Sequence, residues 1–158
     1  MANTQSMCTS FLGELMTATH NFGVAPIRAA TTADTFKAAL YLVSATVDAA
    51  TTVYSSTGEV TGTNYTAGGV VVTGANAPTA TNSSATAGVG YWTPSASIVY
   101  TTVTLATAFD AVLIYNNSQG DKAVSVHTFG SQTITAGTFT LTMPVNTTTT
   151  ALLRLATT

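Results

Sequence analysis

The residues able to carry acid–base, nucleophilic or metal chemistry are few. They are two histidines, His20 and His127, one cysteine, Cys8, and six carboxylates: Glu14, Asp34, Asp48, Glu59, Asp110 and Asp121. A metal centre needs three or four converging ligands, and no H-x-x-x-H, C-x-x-C or D-x-D-x-D spacing occurs. Cys8 and His20 form the only local Cys/His pair. On one helix their separation would be roughly 18 Å of rise, far beyond hydrogen-bond reach. Cys8 therefore reads as a small apolar core or interface residue. His127 sits in AVSVHTFG, where Val124, Val126 and Thr128 share one strand face and His127 lies on the other with Ala123, Ser125 and Phe129. A histidine on such a mixed face reads as structural. There is no G-x-S-x-G elbow, and no pair of acids is singled out for glycoside hydrolysis. No catalytic residue, cofactor or metal is expected, and the chain reads as a non-enzyme.

One glycine-rich stretch invites a ligand reading: YSSTGEVTGTNYTAGG, from Tyr54 to Gly69. A phosphate-binding P-loop requires G-x-x-x-x-G-K-[ST], and the dinucleotide fingerprint requires G-x-G-x-x-G. Gly58 and Gly62 have the wrong spacing and no lysine is near; Gly88-Val-Gly90 supplies only the first two glycines of the second motif. The stretch instead reads as an extended segment bent at Gly58, Gly62 and Gly68-Gly69, since glycine within a strand pattern marks a bulge or a close backbone approach. Tyr54, Val60 and Tyr65 anchor it between the bends, and Glu59 is its one charge.

The surrounding composition narrows the function classes. Apolar residues make up 46% of the 158-residue chain and charged residues 6%, against roughly 25% charged in ordinary globular domains. Runs such as FKAALYLV and FDAVLIYN supply enough hydrophobicity to fold. The formal net charge is −2, and the cations Arg28, Lys37, Lys122 and Arg154 are widely spaced. Nucleic-acid binding needs several cations on one face, and adhesion to anionic membranes needs the same. Both are excluded as expectations. Weak self-repulsion favours association, so a homo-oligomer, dimer or trimer, is expected. The single cysteine excludes an intrachain disulfide. No signal peptide and no membrane-spanning run are recognised, which predicts a chain made in a cytoplasm.

The elements that must position these residues form one domain, 1–158. Cys8, Phe11, Leu12, Leu15 and Met16 recur at helical spacing and predict a helix over about 6–20, of three to four turns. From about 34 to 158 the pattern is that of strands: Thr35–Val43, Gly69–Thr73, Ser97–Leu105, Phe109–Tyr115, Ala123–Phe129, Gln132–Thr135, Thr138–Met143 and Ala151–Leu155, with short strands possible near Tyr54 and Tyr91. The segment from Tyr115 to Lys122 reads as a hairpin turn. Gly74–Ser84 reads as a long exposed loop. A mainly β fold follows, a jelly-roll-like antiparallel β-sandwich of about eight strands with one N-terminal α-helix. An immunoglobulin-like sandwich has the same strand count.

The order of segments resembles a family of small structural proteins of tailed bacteriophages. The shared pattern is SMCTSFLGELMTATHNF, DTFKAALYL, YSSTGEVTGTNYTAGG, FDAVLIYNNSQGDKAVSVHTFGSQTITAGTFTLTMP and ALLRLA. The resemblance implies a capsid decoration or cement protein on the virion surface, with the major capsid protein as partner and no catalytic residues to carry over. Candidate assembly residues are Met7, Phe11, Leu15, Tyr54, Tyr65 and Trp92. The helix either covers an open end of the sandwich or docks on a partner. Rival readings are a tail or fibre component, a wall-degrading hydrolase, and a sugar-binding module that stacks Tyr91-Trp92 on its ligand.

Overall fold

The computed structural model describes residues 3–16, 19–20, 22, 34–73, 79–80 and 89–156. The described chain is mainly β and wholly antiparallel in its strand pairings. Its centre is one long hairpin. Strand β6 (Ile98–Asn116) and strand β7 (Lys122–Leu141) run side by side for 19 and 20 residues, about 60 Å at strand rise. The turn between them is a short 3-10 segment, Asn117–Gln119, closed by Gly120 and Asp121 in the left-handed region at φ 65° and 58°. The Asn116 side chain caps that turn by accepting from the Ser118 amide.

Two sheets are built around the hairpin. The larger adds β1 (Ser6–Met7), β2 (Phe36–Leu42) and β3 (Val70–Val71), in the order β1-β7-β6-β2-β3. The smaller is β4 (Thr79–Ala80), β5 (Val89–Trp92) and β8 (Leu153–Ala156), in the order β4-β5-β8. Neither sheet closes on itself.

β2 explains where the core sits. Its run FKAALYL is buried on both faces, with Ala38, Ala39 and Leu40 wholly enclosed. A strand covered on both sides reads as a continuous apolar run rather than an alternation. Phe36 points to one side, stacked on Phe22 at 4.5 Å between centroids, with Trp92 of β5 beyond. Tyr41 points to the other, where its hydroxyl donates to the Ser55 carbonyl at 2.5 Å. The glycine-rich strap runs along β2, bonded to it through Val60 and Leu42. The hairpin half near the turn, Phe109–Asn116 against Lys122–Thr128, is therefore the buried half. The far half is mostly exposed, and from Gly130 to Leu141 it carries no charged residue.

Two expectations need correction. The N-terminal helix is not formed over the whole of 6–20: Ser6–Met7 is a strand paired with Ser125 and Val126, and among the described residues only Thr9–Met16, about two turns, is helical. Backbone pairing wins over helical periodicity there, because the β7 edge offers open hydrogen-bond partners. Ser97–Leu105 and Phe109–Tyr115 are one strand, and the three predicted between Ala123 and Met143 are also one. Their apparent breaks are register shifts within a continuous ladder, at Leu105/Phe109 and Phe109/Ala111, where bulges bend the strands without ending them. The loop expected over Gly74–Ser84 lies largely outside the described residues, apart from the β4 pair Thr79–Ala80.

Candidate functional site

The strap from Tyr54 to Gly69 shows what its glycines are for. Val60 donates to the Leu40 carbonyl, Leu42 donates to the Gly58 carbonyl, and Thr63 exchanges both backbone bonds with Thr104. The strap thus lies along β2 and crosses to β6. At Gly69 an added Cβ would come within 1.7 Å of the Ala38 carbonyl oxygen, and at Gly62 within 2.0 Å of the Thr104 oxygen. These are contacts that only a residue without Cβ permits. Thr102, at a register shift within β6, stands at φ 54°, a rare conformation for a β-branched residue. Its carbonyl accepts the Asn64 side-chain amide at 2.8 Å.

Glu59 is the pivot of the strap. It is buried, at 6% exposure. One carboxylate oxygen accepts from the Tyr65 hydroxyl at 2.7 Å and the Gly68 amide at 2.8 Å, and the other accepts from the Tyr54 hydroxyl at 2.6 Å. A buried carboxylate held by three donors has its charge spread over hydrogen bonds instead of water. The surrounding phenols are tied into the sheet. Tyr65 also accepts from the Leu40 amide, Tyr100 donates to the Ala38 carbonyl, and Tyr115 donates to the Gly68 carbonyl. Burial, helped by the Glu59 charge, pushes the Tyr54, Tyr65 and Tyr100 hydroxyls above the ordinary phenol range. Burial pushes Tyr41 up to about 12. The cluster fastens the strap onto the sheet.

A second polar network fastens the N-terminal segment. Glu14 meets His20 Nε2 at 2.7 Å and the Lys122 ammonium at 2.9 Å. His20 Nδ1 lies 3.0 Å from the Asn116 amide nitrogen, which also donates to Asp34 at 2.7 Å. Gln119 donates to the same Asp34 carboxylate. Burial lowers the pKa of His20, outweighing the hydrogen bond and charge of Glu14, which raise it. Burial opposes ionisation of Glu14, yet the bonds from Lys122 and His20 leave its carboxyl below the usual range. Asn3 adds a further tether, donating to the Leu42 carbonyl and Asp110 and accepting from the Val47 amide.

Cys8 is wholly buried, and burial together with the Asp48 and Glu14 charges raises its thiol to about 11, which makes it a poor nucleophile. His127 Nε2 lies 2.9 Å from the Ser125 hydroxyl, and burial lowers the imidazole to about 4. The two side chains lie on one face of β7 and approach a serine–histidine pair in geometry, but Ser125 is 1% exposed and the imidazole is a weak base at neutral pH.

The six candidate assembly residues are placed as follows. Phe11 is buried against His20 and Phe22, and Trp92 against Phe22. Met7, Leu15, Tyr54 and Tyr65 are partly buried and packed against the same core. Tyr54 and Tyr65 are brought together on Glu59, and Phe11 and Trp92 meet through Phe22. Phe11 and Trp92 spend their apolar surface inside the chain, and the other four do so in part. Trp92 could not stack on a sugar without leaving the core. Glu59, Glu14, His20 and Asn116 were not marked by sequence reasoning as organising residues. A lone carboxylate flanked by two tyrosines in an uncharged strap was the available signal for Glu59.

A different feature remains on the surface. An open groove of about 350 Å³ runs between Gln5–Met7 on one side and Thr149–Arg154 on the other, with Ser125 and His127 among its lining. Among the described residues, no group of three or more His, Cys, Asp or Glu is placed to hold a metal ion, and no helix is long and apolar enough to cross a membrane. No family model, curated protein or solved structure matches this chain.

Proposed function

We propose that the protein is a non-enzymatic structural component of a virion, a capsid decoration or cement protein acting by binding. The observation that carries this reading is the far half of the hairpin. From Gly130 to Leu141 it presents an exposed row of hydroxyl, amide and small side chains with no charge. Such a surface suits attachment to a repeating lattice, where fixed charge at the contact would cost desolvation and repetition multiplies weak contacts. The titratable side chains support it from the other direction, since Glu14, His20 and Glu59 are engaged in tethering chain segments. The segment-order resemblance to tailed-phage structural proteins points the same way. In this reading the two sheets are the layers of a jelly-roll-like sandwich, the partner is the major capsid protein, and the protein assembles as a dimer or trimer on the capsid surface.

Cryo-electron microscopy of particles carrying a labelled copy tests the proposal. Lattice-wide density at capsid sites is the expected result. Label confined to the tail would replace it with a tail or fibre component, and particles lacking the protein would end the virion reading.

A further inference from the structure

We propose that the groove between β1 and β8 receives an extended peptide strand from a partner protein, a strand that carries one carboxylate. The inference rests on two open strand edges and on the charge between them, and it is independent of the virion reading. β1 is the edge of the larger sheet and uses only one side, pairing with β7. β8 is the edge of the smaller sheet and likewise uses one side, pairing with β5. No backbone hydrogen bond among the described residues occupies the outer side of either strand. Residues of both edge strands line the same groove, Gln5–Met7 and Leu153–Arg154, together with Ser125, Val126 and His127 of β7.

An open edge presents alternating amides and carbonyls at strand spacing. What matches that row is another extended backbone, as in strand addition to a sheet edge. Here one inserted strand would meet two edges and join two sheets that neither edge closes alone. The lining is polar, with Gln5, Ser6, Thr149, Thr150 and His127, which disfavours the apolar face of an amphipathic helix. Among the described residues Arg154 is the groove's only charged side chain, and its guanidinium meets no carboxylate there, donating instead to the Thr149 carbonyl. A carboxylate on the occupant would supply the missing counter-charge. The chain's own exposed strand, Gly130–Leu141, has no carboxylate, so a second copy of it would leave Arg154 unmatched.

The test is selection of randomised displayed heptapeptides on three immobilised proteins: wild type, Gln5→Trp and Arg154→Glu. Both altered side chains are exposed, and circular dichroism checks that each variant is folded. Enriched peptides should carry Asp or Glu and no central proline on wild type, and Lys or Arg on Arg154→Glu. The best peptide should bind Gln5→Trp about tenfold or more weakly and slow amide exchange at Met7 and Leu153, whose amides alternate with the inward-bonded amides of Cys8 and Leu152. No enrichment on wild type, equal enrichment on Gln5→Trp, or protection elsewhere would overturn the proposal. So would a mass doubling in light scattering that Gln5→Trp abolishes, which would give the groove to a second copy.

Discussion

The strap and the N-terminal segment are both long pieces of chain held on the central sheet by a carboxylate, yet they solve the same problem with opposite chemistry. Glu59 is satisfied by neutral donors, two of them within six residues of it: Tyr54 and Tyr65. Glu14 is satisfied by basic groups, His20 and Lys122, the latter 108 residues away. The carboxylate contacts of the strap thus lie within the strap itself. The N-terminal segment becomes fastened only when the hairpin turn has brought Asn116 and Lys122 into place. A buried charge with local neutral donors behaves as part of the core, whereas one that depends on exposed cations is tuned by pH and salt.

This contrast can be broken at several points. The largest effect is expected for Glu59→Ala, which leaves two phenols and the Gly68 amide without their acceptor. At about 1–3 kcal/mol for each buried group left unsatisfied, the loss should be on the order of 4 kcal/mol, read by urea denaturation. If the change costs under about 1 kcal/mol, the strap is not organised by its carboxylate. Gly69→Ala should follow at about 3 kcal/mol, since the residue stands at φ 70° with the Ala38 oxygen in the way. Gly130→Ala, with nothing within 4 Å of the new methyl, is the control and should leave stability nearly unchanged.

The two regions should also part company with pH. The Tyr54 and Tyr65 hydroxyls ionise less readily in the folded chain. The folded state therefore keeps protons that the unfolded state gives up above about pH 10, so the strap loses stability as pH rises through the ordinary phenol range. In the N-terminal segment both shifts are downward. The folded state refuses protons that unfolded His20 takes up below 6.5 and unfolded Glu14 below 4.5, so this anchor weakens as pH falls. Hydrogen exchange should show the Val60 amide opening first in alkali and the Cys8 amide first in acid, and His20→Gln should flatten the first part of the acid limb. Opening of both amides together would mean that the regions are one cooperative unit. The smallest effect is expected for Lys122→Ala. Its side chain is 41% exposed, so the loss should stay under about 1 kcal/mol and shrink in salt.

Much of the strap was legible because its determinants are neighbours in sequence. The bends at Gly58, Gly62 and Gly68-Gly69 and the anchors Tyr54, Val60 and Tyr65 stand where the pattern put them, and the close backbone approaches at Gly62 and Gly69 are what glycine in an extended segment predicts. The hairpin turn from Tyr115 to Lys122 was readable for the same reason. The helix over 6–20 was misread because Cys8, Phe11 and Leu15 keep helical spacing although the residues before Thr9 pair as a strand. The competing partner, the edge of β7, lies more than a hundred residues along the chain. The separate short strands were misread because Gly130 and Gly137 punctuate the sequence without ending the ladder.

The sequence by itself determined a low-charge, threonine-rich, mainly β chain with a glycine-bent strap and a tight hairpin, because these follow from side-chain size, branching and local turn chemistry. Only the tertiary structure decided what the few titratable groups do. Glu14, His20, Asp34, Asn116 and Lys122 acquire their roles from contacts that span most of the chain. The groove between β1 and β8 joins strands from opposite ends of the described sequence. Burial and distance set those roles, and neither quantity exists until the long hairpin has brought the two ends together.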